Sequence, residues 1–200
     1  LGGPGRTRRG VLFAGMLVVS LCASSVGIAP ASAADDPATV PDRPWKIPTI
    51  APGSPCPVTK RASQPSRDLG VMIGSGPARP VGIGRNGVLE YARAHRPGTV
   101  FVDSEWGGQK VLWAVAPKVK TAVRVRGRQL DGAGTVRFGM DVEPATDLLL
   151  AAPEPGAQRM DGGWRDFPSL TRIQQPGCYA YQVDTPSKST VIVFEARDEL

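Results

Sequence analysis

Few residues in this chain have the type and spacing that chemistry requires. Asp103 and Glu105 stand two apart, so on a strand they share a face. That spacing falls near the roughly 5–9 Å carboxylate separation used in glycoside hydrolysis. The pair lies beside Trp106-Gly107-Gly108, however, and solvated acids at a strand end are the commoner outcome. His95, the sole histidine, sits in the basic turn Arg93-Ala94-His95-Arg96-Pro97-Gly98. No Gly-x-Ser-x-Gly accompanies it, and one histidine excludes a multi-histidine metal centre. Gly82-Ile83-Gly84-Arg85-Asn86-Gly87 has the glycine spacing of a dinucleotide loop. Such a loop must open a helix. Here Asn86-Gly87 reads as a hairpin turn and Val88-Leu89-Glu90-Tyr91 as a strand. No catalytic residue, metal or cofactor is expected.

Two constellations remain. Cys56 and Cys178 are an even pair once Cys22 leaves with the leader described below, and in an oxidising compartment they read as a disulfide. Lys118, Lys120, Arg124, Arg126 and Arg128 alternate with Val119, Thr121, Val123 and Val125. Alternation of period two makes a half-buried strand with a wet basic face. Five cations along one strand suit an extended anionic polymer, although a solvated outer sheet face uses the same residues. Trp45, Trp106, Trp164 and Tyr179, if exposed, form a glycan-stacking surface; otherwise they are core and turn plugs.

The elements that must position these residues are strands. Gly70–Ile73, Val88–Arg93, Val100–Glu105, Lys110–Ala116, Val119–Arg128, Thr135–Phe138, Leu148–Ala151, Tyr179–Val183 and Thr190–Glu195 are short and rich in β-branched or aromatic residues. Asn86-Gly87, Gly107-Gly108, Asp131-Gly132 and Asp161-Gly162-Gly163 punctuate them. In Lys110–Ala116, the residues Val111, Trp113 and Val115 share one side. Val191-Ile192-Val193-Phe194 is apolar on both faces, which predicts a central strand covered on both sides. No helical period of useful length follows the leader.

The leader is residues 1–34. Arg6, Arg8 and Arg9 precede an apolar run from Val11 to Ala29, and Ala31-Ser32-Ala33-Ala34 offers a cleavage site. This is the layout of a secretory signal peptide, with cleavage expected after Ala33 or Ala34. Thr7-Arg8-Arg9-Gly10-Val11-Leu12 also loosely matches a twin-arginine signal, which leaves the export route open. The expected location is secreted or envelope-associated, with no stable membrane insertion after cleavage. Without those arginines the balance is 21 basic to 18 acidic residues, or +3, too mild to favour nucleic acid. Asp35 to Val58 carries seven prolines and reads as an extended spacer. The expected division is signal peptide 1–34, Pro-rich linker 35–55 and one β-domain 56–200.

Cys-Pro-Val-Thr (56–59), Gly74-Ser75-Gly76-Pro77, Gly108–Trp113, Arg126-Gly127-Arg128-Gln129-Leu130-Asp131-Gly132 and Pro176-Gly177-Cys178-Tyr179-Ala180-Tyr181-Gln182-Val183-Asp184 together resemble a group of uncharacterised exported bacterial proteins. The resemblance covers most of residues 56–196. It implies a single Ig-like β-sandwich closed by a terminal cysteine pair, and it transfers no site. The expected function is non-catalytic. The partner is an anionic cell-wall polymer or another envelope protein, with a small hydrolase using the acid pair as the alternative.

Overall fold

The structure, a computed structural model, describes residues 40–62, 69–84, 86–153 and 159–199. The expected signal peptide lies outside the described residues. Nine strands form: β1 (Ala78–Val81), β2 (Val88–Tyr91), β3 (Gly107–Val115), β4 (Val123–Gln129), β5 (Thr135–Phe138), β6 (Leu148–Leu150), β7 (Arg165–Ile173), β8 (Gly177–Asp184) and β9 (Ser189–Asp198). The class is all-β, as the strand pattern demands.

The strands run β1-β3-β7-β5-β4-β8-β9-β2, with β6 beside β4. Only β2 with β9 is parallel; the other ladders are antiparallel. The sheet curls into two facing layers. At one corner β5 joins them, pairing Val136 with Gly127 of β4 and Phe138 with Thr171 of β7. At the opposite corner Ala92, just past β2, exchanges two backbone hydrogen bonds with Gly108 of β3, at 3.1 and 2.8 Å. A Cβ on Gly107 would overlap the Ala92 carbonyl oxygen, so this closure needs glycine. Gly107-Gly108, read as punctuation in the sequence, is instead the start of β3.

Between the layers lies one core. Val111, Trp113 and Val115 of β3 point into it, as the period-two reading requires, with Val123 and Val125 of β4 and Ile192 and Phe194 of β9. Tyr181 is its hub. The ring lies edge-on to Trp113 at 5.1 Å and stacks on Phe194 at 4.5 Å, and its hydroxyl bonds Thr171 Oγ1 at 2.7 Å. Burial of aromatic surface on this scale dominates such a core.

Three expectations are corrected. Val100–Glu105 has strand composition but forms turns, because the chain must bend there to start β3 at Gly107. Gly70–Ile73 makes only isolated bridges, Met72 to Val81 and Ile73 to Arg61. Two strands, β1 and β7, had no sequence signal: each contains a proline and polar residues. Pro168 pairs opposite Leu112 of β3, whereas β5 meets β7 only at Thr171 and Arg172. The proline therefore sits on a partly open edge, where a missing N–H is tolerated.

The Pro-rich stretch is extended, as its prolines require, yet from Val40 onward it does not stand away from the domain. It forms a strap across the outer face of β4, β8 and β9. Gln182 of β8 accepts from Lys46 N at 2.6 Å and donates to Pro44 O at 3.0 Å. Arg43 donates to the Thr185 and Pro186 carbonyls in the β8–β9 turn. Ile47, Ile50 and Cys56 pack on Cys178, Ala180 and Val193. This supplies the second cover that the doubly apolar β9 demanded. Cys56 and Cys178 are joined as a disulfide, with Cα atoms 5.4 Å apart, and the bond anchors the end of the strap to β8.

Candidate anion-binding pocket

Three segments distant in sequence meet at one end of the sandwich. They are the approach to β1 (75–79), the β3–β4 turn (116–121) and the β8–β9 turn (185–188). Between them lies an open pocket of about 640 Å³. Each wall contributes cations: Arg79 from the first, Lys118 and Lys120 from the second, Lys188 from the third. Ser75, Thr121 and Ser187 add hydroxyls, and no carboxylate is among the lining residues.

The local geometry explains why these charges converge. The β8–β9 turn is tied by Thr185, whose hydroxyl accepts from Lys188 N at 3.1 Å and donates to Lys188 O at 3.2 Å. Lys120 Nζ donates to Pro117 O at 2.8 Å, holding its side chain against its own turn. The Arg79 guanidinium lies over the Trp164 ring, 5.2 Å from its centre. Such stacking fixes the plane of the guanidinium. Among the described residues, Arg79, Lys118 and Lys188 enter no ion pair. Arg79 Nε is buried and has no hydrogen-bond partner, and neither do the hydroxyls of Ser189 and Thr190. Thr190 lies directly behind Gly76, a residue of the pocket wall.

The expected basic stripe divides. Lys118 and Lys120 are exposed, in a turn that precedes β4 and not on the strand. Arg124, Arg126 and Arg128 do lie on the outer face of β4, but the strap covers it. Arg126 is 7% exposed. It donates to Asp42 Oδ1 at 2.7 Å, to Arg43 O at 2.6 Å and to Asp184 Oδ2 at 2.9 Å. Arg124 pairs with Asp147 and, at 3.2 Å, with Asp42. Arg128 is exposed, and Trp45 stacks on both Arg126 and Arg128 at 4.6 and 5.1 Å. The free five-cation face is thus replaced by a strap that pairs Arg124 and Arg126 with carboxylates and stacks Trp45 on Arg126 and Arg128. Alternation correctly located the outer face; nothing in it revealed the strap.

The remaining candidates are scattered. Asp103 and Glu105 are both exposed in the loop before β3. Among the described residues Glu105 accepts from no buried donor; it meets His95 Nε2 at 3.1 Å, a surface contact between side chains 79% and 56% exposed. Asn86-Gly87 lies in a tight turn, with Gly87 N donating to Gly84 O, but it makes no hairpin: β2 pairs in parallel with β9 and not with β1. Trp106, Trp164 and Tyr179 are buried, so of the proposed stacking aromatics only Trp45 reaches the surface. Among the described residues no cluster of three or more His, Cys, Asp or Glu could hold a metal, and no helix is long and apolar enough to cross a membrane.

Sequence reading missed Arg79 and Lys188. Each is a single cation in a short element, with no local pattern. It also missed Arg172, which is fully buried without a carboxylate partner. Arg172 donates to the carbonyls of Gly107, Gly139, Asp141 and Trp106 and to Ser104 Oγ, at 2.7–3.2 Å. Burial lowers its pKa from the ordinary arginine value. Its role is to tie the loop before β3 to the loop after β5. No protein-family model, curated protein or solved structure matches the chain.

Proposed function

We propose that this chain is an exported, non-catalytic β-domain that binds anionic polymers of the cell envelope, with the pocket between Arg79, Lys118, Lys120 and Lys188 as its contact site. The observation that carries the reading is the convergence of four cations from three segments on one opening without a lining carboxylate. Like charges gathered in this way repel one another, and an anion relieves that repulsion. The disulfide supports an oxidising compartment. An Ig-like assignment is supported by the two layers, β1-β3-β7-β5 against β2-β9-β8-β4, an order that parallels the ABED and GFC sheets of that fold. Asp103 and Glu105 stand solvated in one exposed loop, which does not favour the hydrolase alternative.

The test is retention of the secreted protein on wall preparations with and without their anionic polymers, across a salt series. Attraction between exposed charges is screened over about 8 Å at physiological ionic strength. Retention should therefore fall as salt rises, and should fall further for a Lys118→Ser, Lys188→Ser double variant with an unchanged melting temperature. Salt-independent retention, or equal retention of the variant, refutes the proposal. N-terminal sequencing of the secreted protein checks export; a mature chain starting before residue 30 contradicts it.

A further inference from the structure

The pocket differs from a flat basic patch in one respect. Its donors stand on three walls, and one of them, Arg79, is held in place by Trp164. On that basis, and resting on the binding reading above, we infer that the recognised group is phosphate carried on an envelope polymer, and that Arg79 determines this specificity.

The argument is geometric. A carboxylate is planar and offers two oxygens in one plane, so it serves donors on two sides. A phosphate group is tetrahedral. Its oxygens leave the plane and can meet Arg79, the Lys118–Thr121 wall and Lys188 together. Guanidinium presents a rigid fork that matches phosphate geometry, whereas ammonium acts as a mobile point charge. A lysine at position 79 would keep the charge and lose both the fork and the stack on Trp164.

The unpartnered atoms point the same way. Arg79 Nε and Thr190 Oγ1 are buried with their hydrogen-bonding capacity unused; Arg79 lines the pocket, and Thr190 stands behind Gly76 of its wall. Leaving a buried polar group unpaired is costly, and such groups in a native fold call for a partner. A phosphate held between the walls pairs instead with the open side of the Arg79 guanidinium, which no carboxylate of the described residues neutralises. Position 76 of that wall requires glycine: a Cβ there would come within 3.0–3.2 Å of the Thr190 side chain, and its φ of +140° disfavours any substitution.

The experiment measures binding of the full secreted protein to two soluble polymers at matched charge and ionic strength. One is poly(glycerol phosphate) and the other is polyglutamate, with inorganic phosphate as competitor. Wild type should prefer the phosphate polymer by at least tenfold, and inorganic phosphate should displace it. Arg79→Lys should lose about tenfold in affinity for the phosphate polymer, the scale of one charge-assisted hydrogen bond, while changing polyglutamate binding less than threefold. Lys188→Gln, on an exposed turn, repeats the comparison should Arg79→Lys fold poorly; it too should narrow the preference. If wild type binds both polymers equally and Arg79→Lys tracks it, the phosphate inference is overturned while polymer binding stands. If neither polymer binds, both readings fall.

Discussion

Replacing Arg126 by methionine should be among the most damaging outer-face changes in this domain, although alternation alone places it on a solvated strand face. Its side chain is 9% exposed, and Asp184 beside it is fully buried. Methionine keeps the length and removes the charge. Asp184 then retains only Gln182 Nε2, at 3.1 and 3.2 Å, as a side-chain donor, the Arg43 carbonyl loses its donor, and Asp42 keeps only Arg124, at 3.2 Å. Removing one partner of a buried ion pair costs about 3–5 kcal/mol, because a charge is left stranded. The stack on Trp45 adds roughly 0.5–2 kcal/mol. For a chain of this size each kcal/mol lowers the melting temperature by about 2–4 °C, so a loss on the order of 7–28 °C follows. Arg124→Ser is the control. That side chain is 24% exposed, and its pair with Asp147 belongs to the class worth about 0–1 kcal/mol. Urea titration of both variants measures the difference, and adding Asp184→Asn to Arg126→Met should recover part of the loss through a double-mutant cycle. If Arg126→Met unfolds within about 1 kcal/mol of Arg124→Ser, the strap does not lie on this face in solution and the argument fails.

Reduction of Cys56–Cys178 should remove about 4–5 kcal/mol on the loop-closure estimate, a loss large enough to see as a lower urea midpoint; an unchanged midpoint contradicts it. Arg172→Met takes the donor from four carbonyls and Ser104, and each such group left buried and unpaired costs about 1–3 kcal/mol, so a clear loss of stability should appear, with amide exchange quickening first in residues 101–106 and 139–142. Burial, with Asp198 also beside Tyr91, raises the pKa of Tyr91, Tyr179 and Tyr181 well above the ordinary phenol value. A raised folded pKa means that this stability is intact below pH about 10 and is lost as pH climbs towards the folded values. Phenolate absorbance should therefore rise cooperatively with unfolding; gradual ionisation near pH 10 in a folded protein refutes the burial.

What was legible in the sequence was local. Side chains alternate along any strand, so Val111, Trp113 and Val115 declared an inward face whatever their neighbours were, and the doubly apolar Val191–Phe194 declared that two covers were needed. The cysteine pair was legible because two thiols in an oxidising setting have few other uses. The strands containing Pro80 and Pro168 were not legible, since a proline is acceptable in a strand only beside an open edge, which for Pro80 depends on β1 ending the sheet and for Pro168 on where β5 leaves β7. The identity of the second cover was equally hidden. Seven prolines specify an extended backbone, but not the surface on which it rests; Gln182, Arg126 and the carbonyls of the β8–β9 turn, more than eighty residues away in sequence, decide that. The basic residues show the same division. Their side of the strand followed from period two, whereas their pairing followed from acids and carbonyls brought over by the strap. The pocket belongs to the tertiary structure: Arg79 and Lys188 carry no pattern in sequence, Lys118 and Lys120 were legible only as part of a strand stripe they do not join, and only the meeting of three chain segments turns these cations into one site.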